Sequence, residues 1–350
     1  MSSPSSTRQW ILQNQAVDLP ILEGPDATFK LIHKNLPALQ DGQVKLKSLY
    51  LSNDPAQRGW IQKGVLADRL YVPPVEEGAP MRAGGIGEVI ETRASSLPKG
   101  TLVFASVSWS EYAVLNAADC SALQNVPGVP VTAFLGSLGS SGLTAYYGLI
   151  DIAKTSKTDV VVVSGAAGAV GSMVVQIAKH MVGCKRVIGI AGSDDKCRWA
   201  KSLGADECLN YKSNSFTQDL IKATHGYADV YFDNVGGDIL DLVLTRMKRF
   251  GRIAACGAIA SYNDSQPRGL RNWFEVVSNR LEIKGFIVLD VMSKFPEMRG
   301  KLVEALAQGK IKVAEEHETL VKTPFEAIPK TWMMLFEGAN TGKLVTKIEA

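Results

Sequence analysis

The run from Asp159 to Val182, DVVVVSGAAGAVGSMVVQIAKHMV, reads as a strand, a tight turn and a helix in one unit. Four valines in a row, Val160 to Val163, are β-branched and apolar on both faces, as a central parallel strand covered by helices requires. Ser164 and Gly165 then open a turn in which Ala166, Gly168 and Gly171 keep the spacing of a G-x-G-x-x-G fingerprint, with Ala in its first slot. Small residues there let a dinucleotide pyrophosphate approach the backbone N–H groups and the positive end of the following helix. Beyond the turn, Val170, Met173, Val174, Ile177, Ala178 and Met181 recur at helical spacing and form one apolar stripe. Val160 to Ala178 is an uncharged run about as long as a membrane span, but its glycines and its switch from strand to helix chemistry argue against one. The spacing alone leaves dinucleotide binding and a merely tight βα turn both open, so the decision moves downstream.

Downstream the pattern repeats. Strands are expected near Val160–Ser164, Arg186–Ala191, Glu207–Asn210, Ala228–Asn234, Gly251–Cys256 and Glu282–Val288, with helices over Lys196–Leu203, Phe216–Thr224, Ile239–Met247 and Pro296–Gln308. Strands alternating with crossovers describe an α/β doubly wound sheet of Rossmann type. Upstream, from Trp10 to about Ser137, short apolar runs such as Gln43–Leu51, Gly87–Thr92, Leu102–Val107 and Glu111–Leu115 are broken by Gly and Pro, the signature of a mostly antiparallel β domain. The change falls near Gly136, which predicts a β domain over 1–137 and a dinucleotide domain over 138–310. Residues 311–350 are too short to fold alone and are expected to rejoin the first domain.

Composition narrows the function. With 350 residues and 46% apolar content the chain has enough material for two cores. A net charge of only +3 favours neither nucleic acid nor an anionic membrane surface. The basic group Arg246, Lys248, Arg249 and Arg252 is expected at a helix end, where cations suit the dipole. Met1 to Thr7 is Ser-rich, lacks the apolar core of a secretion signal, and reads as a frayed tail of a cytosolic protein. Five cysteines at wide spacing suit free thiols in a reducing compartment. The histidines, His33, His180, His225 and His317, do not pair with cysteines at metal-ligand spacing, so no metal is expected.

In a doubly wound sheet the ligand crosses the C-terminal ends of the strands. After the second strand stand Gly192, Ser193, Asp194, Asp195 and Lys196. Small residues with a following cation suit a ribose phosphate; an acid at the strand tip suits the bare ribose of NAD. Asp194 and Asp195 also read as first-turn acids behind a Ser193 N-cap. Tyr211 follows the third strand and Asn234 the fourth, where an Asn before Gly236-Gly237 is equally an ordinary turn residue. After the fifth comes Cys256-Gly257-Ala258-Ile259-Ala260-Ser261-Tyr262, a small-residue loop carrying a tyrosine hydroxyl; after the sixth come Phe286, Ile287 and Val288, whose backbone is suited to pairing with a carboxamide.

These motifs occur together with Leu51-Ser52-Asn53-Asp54-Pro55 and Arg58, with Gly142-Leu143-Thr144-Ala145-Tyr146, with Asn210-Tyr211-Lys212 and with Asn340 ahead of Gly342-Lys343. In that order, and over nearly the whole chain, they resemble the zinc-independent medium-chain dehydrogenase/reductases, in the branch of prostaglandin reductase and the plant alkenal double-bond reductases. The resemblance implies a GroES-like catalytic domain completed by the C-terminus, NADP(H) as cofactor, and a homodimer joined along the sixth strand. It implies Lys196, Ser193 and Tyr211 near the 2′-phosphate and Gly168, Ala169, Val170 and Gly171 at the pyrophosphate. Asn53, Thr144, Asn234, Cys256, Gly257, Ala258, Ile259, Phe286, Ile287, Val288 and Asn340 complete the implied cofactor lining, with Tyr262 at the reacting centre.

Two departures bear on the substrate. Where many relatives read Asp-Pro-Tyr-Met-Arg, this chain has Ala56 and Gln57, and Ile86 stands where some plant members carry a tyrosine. Tyr50 and Trp109 are the other pocket candidates, each also readable as packing. The expected chemistry is hydride transfer to the β-carbon of an α,β-unsaturated aldehyde or ketone, with Tyr262 supplying the α-proton directly or through water. A phenol, with a reference pKa of about 10, is a suitable reservoir at neutral pH. Quinone reduction and oxidation of a secondary allylic alcohol are rival activities, and a cofactor-binding protein without turnover is the rival outside enzymes.

Overall fold

The computed structural model of the protein describes residues 4–349. Its strands are β1 (Ser6–Leu12), β2 (Phe29–Asn35), β3 (Gln43–Ser52), β4 (Gly85–Thr92), β5 (Leu102–Ala105), β6 (Tyr112–Asn116) and β7 (Ser121–Ala122), then β8 (Val160–Ser164), β9 (Arg186–Ala191), β10 (Glu207–Asn210), β11 (Ala228–Asp233), β12 (Met247–Ala255) and β13 (Glu282–Gly285), and finally β14 (Glu318–Thr323) and β15 (Lys343–Ile348). The helices are α1 (Ser140–Tyr147), α2 (Ala169–Gln176), α3 (Asp194–Ser202), α4 (Phe216–Ala223), α5 (Gly237–Leu244), α6 (Phe274–Ser278), α7 (Phe295–Ala307) and α8 (Ile328–Glu337). The chain divides into two compact units, Met1–Leu135 with Glu318–Ala350, and Gly136–His317.

In the second unit a six-stranded sheet runs β10-β9-β8-β11-β12-β13, every pairing parallel. β8 lies inside it, with Val162 opposite Ile188 on one side and Tyr231 on the other. Val161, Val162 and Val163 are buried, as expected of a strand covered on both faces. Strand order reverses between β8 and β11, which places the ligand crevice at their C-terminal ends. α2 buries Met173 and Val174 and continues in wider turns through Val182, burying Ile177 and Ala178 and ending on Gly183 in the left-handed region at φ 76°.

The first unit pairs β1 with β2 and carries a larger sheet in the order β14-β15-β3-β4-β5-β7, with β6 also on β3. β15 runs antiparallel to β3, so residues from both ends of the chain share one sheet. The core is aromatic: the Trp109 ring lies 4.9 Å from Phe29 and 5.8 Å from Trp332.

Three expectations need correction. The Ser-rich tail is ordered earlier than expected: β1 begins at Ser6, and Thr7 is buried, its Oγ1 accepting the Tyr112 N–H at 2.9 Å. Residues 1–3 of that tail lie outside the described residues. The basic group is not at a helix end. α5 stops at Leu244, and Lys248, Arg249 and Arg252 belong to β12. Lys248 holds Asp229 at 2.8 Å, Arg252 holds Asp159 at 2.8 Å, and the Arg246 guanidinium lies 4.7 Å over the Tyr227 ring. The sixth strand is shorter than Glu282–Val288: it ends at Gly285, and Val288 opens a short 3-10 helix through Lys294.

Candidate active site

The turn after β8 is fixed by close packing of backbone on backbone. A Cβ on Gly171 would lie 2.1 Å from the Gly165 carbonyl oxygen, and one on Gly168 would lie 3.2 Å from it. Gly165 itself has φ 60°, a conformation that glycine adopts without strain. Gly168 N–H donates to Gly165 O at 2.8 Å, which closes the turn, and α2 starts at Ala169. The first helical N–H groups therefore stand over a surface bearing no bulky side chain. That geometry fits a pyrophosphate.

The opposite strand ends are tied to this turn by one buried acid. Asp233 Oδ1 accepts from Tyr231 Oη at 2.7 Å, Ser164 Oγ at 3.0 Å, Val235 N at 3.0 Å and Gly236 N at 2.9 Å. Asn234 adds two bonds to the same place, its N–H to Ser164 Oγ at 2.9 Å and its side-chain amide to Ser164 O at 2.7 Å. The Asn234 amide thus spends a donor on the end of β8.

At the end of β9, Ser193 caps α3, its Oγ accepting the Lys196 N–H at 3.3 Å. Asp194 receives the Asn210 side-chain amide at 2.9 Å, and Asp195 is paired with Arg198. Both acids are therefore first-turn acids behind the cap. Lys196 is half-buried, and burial, followed by the Lys212 charge, lowers its pKa from the usual lysine range. A phosphate beside it would oppose both effects. Tyr211 is exposed, packs on Gly192, and lies under Lys212 with the ammonium 5.9 Å from the ring.

Between the loop after β12 and the segment after β13 lies an open depression of about 540 Å³ lined by Ala255, Cys256, Gly257, Ala258, Tyr262, Gly285, Phe286, Ile287 and Asp290. The Tyr262 hydroxyl accepts the Ala258 N–H at 3.2 Å, and Ser261 Oγ donates to Ala258 O at 2.9 Å, so the loop folds the phenol back over its own start. Ile259 lies in that short turn, and Val288 is buried. Phe286 stacks edge-on with Tyr147 at 5.7 Å and with Phe232 at 6.0 Å, close to where Gly148 leaves no room for a side chain. Burial, then the Asp233 charge, pushes the Cys256 thiol up to about 12, so it stays protonated at neutral pH.

Two acids here were missed from sequence. Asp290 sits in the wall of the depression, two residues beyond the stretch inspected after β13. Asp241, in α5, is 2% exposed. It accepts Arg271 N and Asn272 N at 2.7 Å each and the Asn272 side-chain amide at 2.9 Å, which anchors the far end of the loop that carries Tyr262. Burial works to raise its pKa, but the N–H groups of Asn272 and Arg271 outweigh that and hold it low.

The remaining candidates are spread over both units. Thr144 is half-buried in α1. In the first unit Asn53 is buried, its amide donating to Thr346 Oγ1 at 2.9 Å, while its Oδ1 has no hydrogen-bond partner among the described residues. Asn340 donates to Gly342 O at 2.9 Å as a turn residue. Two pocket candidates are corrected: Trp109 and Ile86 are each 0% exposed, Trp109 in the aromatic core and Ile86 against Leu135 and Val345. They pack and present no surface to a ligand. Tyr50 lies under the Lys347 ammonium at 5.8 Å, and Ala56 is half-buried. Its neighbour Gln57 is fully buried and bridges Asp54 N at 2.8 Å to Arg82 O at 2.9 Å, so that departure from the relatives is structural here.

A glycine turn at a helix start, a half-buried lysine and a tyrosine beside an open depression stand at the C-terminal ends of one parallel sheet, the arrangement expected of a dinucleotide-dependent oxidoreductase. Family models agree: residues 169–306 match "Zinc-binding dehydrogenase" and residues 8–123 match "N-terminal domain of oxidoreductase". The chain belongs to this family of medium-chain dehydrogenase/reductases. It is 38% identical over 349 residues to prostaglandin reductase 1 of Bos taurus, covering 97% of this chain and 98% of the relative. It is 35% identical over 354 residues to the NADP(+)-dependent 2-alkenal reductase of Nicotiana tabacum, covering 99% of each. Among solved structures, CurA from Vibrio vulnificus in complex with NADPH matches with a TM-score of 0.87 at 35% identity, over 98% of this chain and 99% of that one. The family description names zinc, but the donor set does not fit it: among the described residues no three His, Cys, Asp or Glu side chains come together as ligands. Nor is any helix among them long and apolar enough to cross a membrane.

Proposed function

We propose that this NADP-dependent oxidoreductase reduces the carbon–carbon double bond of α,β-unsaturated aldehydes and ketones. The observation that carries the reading is the Tyr262 hydroxyl beside the depression between the loop after β12 and the segment after β13. Gly168 to Gly171 would hold the cofactor's pyrophosphate and Lys196 its 2′-phosphate, with Phe286 and Ile287 beside its nicotinamide. When bound, NADPH supplies a hydride. The residues of this chain supply the rest: Tyr262 donates a hydrogen bond to the acceptor's oxygen as charge develops there, then delivers a proton to the α-carbon directly or through water. The Ala258 N–H held on the phenol oxygen favours the negative charge left behind. Names of full-length relatives support the acceptor class, since both a prostaglandin reductase and an alkenal reductase are among them.

The first unit would act as a GroES-like substrate domain and the second as the cofactor domain. β13, at the edge of its sheet, would join a second copy to make a homodimer, since an uncovered strand edge invites pairing. Five free cysteines suit the cytoplasm. The test is NADPH oxidation against enals, enones and quinones, repeated with NADH. Turnover of quinones with none of enals or enones overturns the proposal. Size-exclusion chromatography with light scattering tests the dimer, and a monomeric mass rejects it.

A further inference from the structure

Beneath the adenosine end of the crevice lie two thiols from different elements. Cys197 is in the first turns of α3, its N–H donating to Ser193 O at 2.9 Å, and Cys208 is in β10. The Cys197 and Cys208 thiols are neighbours and pack with Ala167, Ala191 and Trp199 in one small cluster. The Cys208 sulfur lies over Gly189, where an added Cβ would be 2.9 Å from it and 2.9 Å from Ala166 Cβ. The pair therefore touches the floor of the glycine turn and the helix that carries Lys196.

We infer that Cys197 and Cys208 form a dithiol modification site, oxidised by a peroxide to an intramolecular disulfide that loosens the grip on NADPH. The affinity part rests on the cofactor reading above; the bond itself does not. The thiol pair has the division of labour that disulfide chemistry uses. Cys197 lies at the start of α3, where the positive end of the helix favours a thiolate; the neighbouring Cys208 leads in lowering its pKa, while Cys197, then burial, raises that of Cys208. Cys197 is thus the nucleophile and Cys208 the resolving thiol. Cys184 and Cys256 are pushed up to about 12 and stay inert. In the first step the Cys197 thiolate attacks one peroxide oxygen, giving a sulfenic acid and, after protonation of the leaving oxygen, water. Cys208 then displaces the sulfenic oxygen as a second water and loses its own proton, so two thiols and one hydrogen peroxide become one disulfide and two waters. A disulfide is about 2.05 Å long, well inside the contact distance of two thiols. The first turn of α3 must move toward β10 to make it, and that turn holds the Ser193 cap and Lys196.

The test treats the full-length protein with stoichiometric hydrogen peroxide, then labels it under denaturing conditions with N-ethylmaleimide and measures mass, tryptic cross-links and NADPH affinity by fluorescence titration. The reduced protein should take five labels, matching its five free cysteines, and the oxidised protein two fewer. One cross-linked peptide should join Cys197 to Cys208. The dissociation constant for NADPH should rise about tenfold and return with dithiothreitol. Cys197→Ser and Cys208→Ala should each bind NADPH within about twofold of the parent and show no peroxide response. Retention of all five labels, a bridge between other cysteines, or a Cys197–Cys208 bridge with unchanged affinity would each overturn the inference. A reduced protein that ignores NADPH would instead reject the cofactor reading, while the label count still reports on the bridge.

Discussion

The turn after β8 and the loop after β12 leave the same edge of one sheet, and the chain holds them by different means. The first is held by contact of backbone with backbone: Gly171 has no room for even a methyl group beside the Gly165 carbonyl. The second is held by side chains: at one end its own Tyr262 phenol accepts the Ala258 N–H, and at the other the buried Asp241 carboxylate reaches in from α5. A surface for an invariant phosphate can be built from sterics alone. The loop after β12, on the proposed function the one that meets the acceptor, is tethered at two points and can be retuned at either.

Substitutions should separate the two regions. The largest effect is expected at Gly171→Val, whose Cβ would meet the Gly165 carbonyl at 2.1 Å; NADPH affinity should fall more than about a hundredfold, with a lower melting temperature. Gly168→Ala, with 3.2 Å available, should lose far less. Equal losses at the two positions would break the steric account. Tyr262→Phe should lower kcat with an enone by about a hundredfold while NADPH binding stays within about twofold, and unchanged kcat removes the phenol from the reaction.

Lys196→Gln should raise the dissociation constant for NADPH about tenfold and leave NADH untouched. Parallel weakening of both coenzymes would place the lysine elsewhere. The smallest effect belongs to the tether: Asp241→Asn should raise KM for the enone about threefold and speed proteolysis within 263–272, with NADPH affinity unchanged. Because the Asp241 pKa is held below its unfolded value, the ionised tether stabilises the fold above the ordinary aspartate pKa of about 3.9 and loses that contribution as pH falls through the lower folded value. The melting-temperature difference between parent and variant should therefore be constant over pH 5–8 and shrink below about pH 4. A difference that grows with acid would contradict the sign.

The same contrast explains what sequence could reveal. β8 and β9 coincide with the expected runs because strands buried on both faces are written in apolar, β-branched residues, and the half-buried edge strand β10 was legible from its place between two helical patterns. β12 begins earlier than its apolar signal, since Lys248, which pairs with Asp229 of the neighbouring strand, and the exposed Arg249 conceal it. β13 ends earlier, although Phe286, Ile287 and Val288 are all strand-prone, because propensity does not record which backbone is needed elsewhere. Ser193 could be read as a cap, being a local feature two residues from the strand. Asp241 and Asp290 could not: each is one acid in a helical or turn pattern, and only the fold shows what converges on it. Ile86 is a pocket candidate only through the tyrosine that some relatives carry there, and Trp109 reads as packing as much as contact; tertiary burial places both in cores.

The brevity of β13 has a further consequence. Each residue added to that edge strand would lengthen the main chain open to pairing and would take one peptide group out of the segment that lines the depression beside Tyr262. On the proposed dimer and cofactor readings, the end of β13 at Gly285 is where pairing with a second copy would stop and contact with a small molecule would begin.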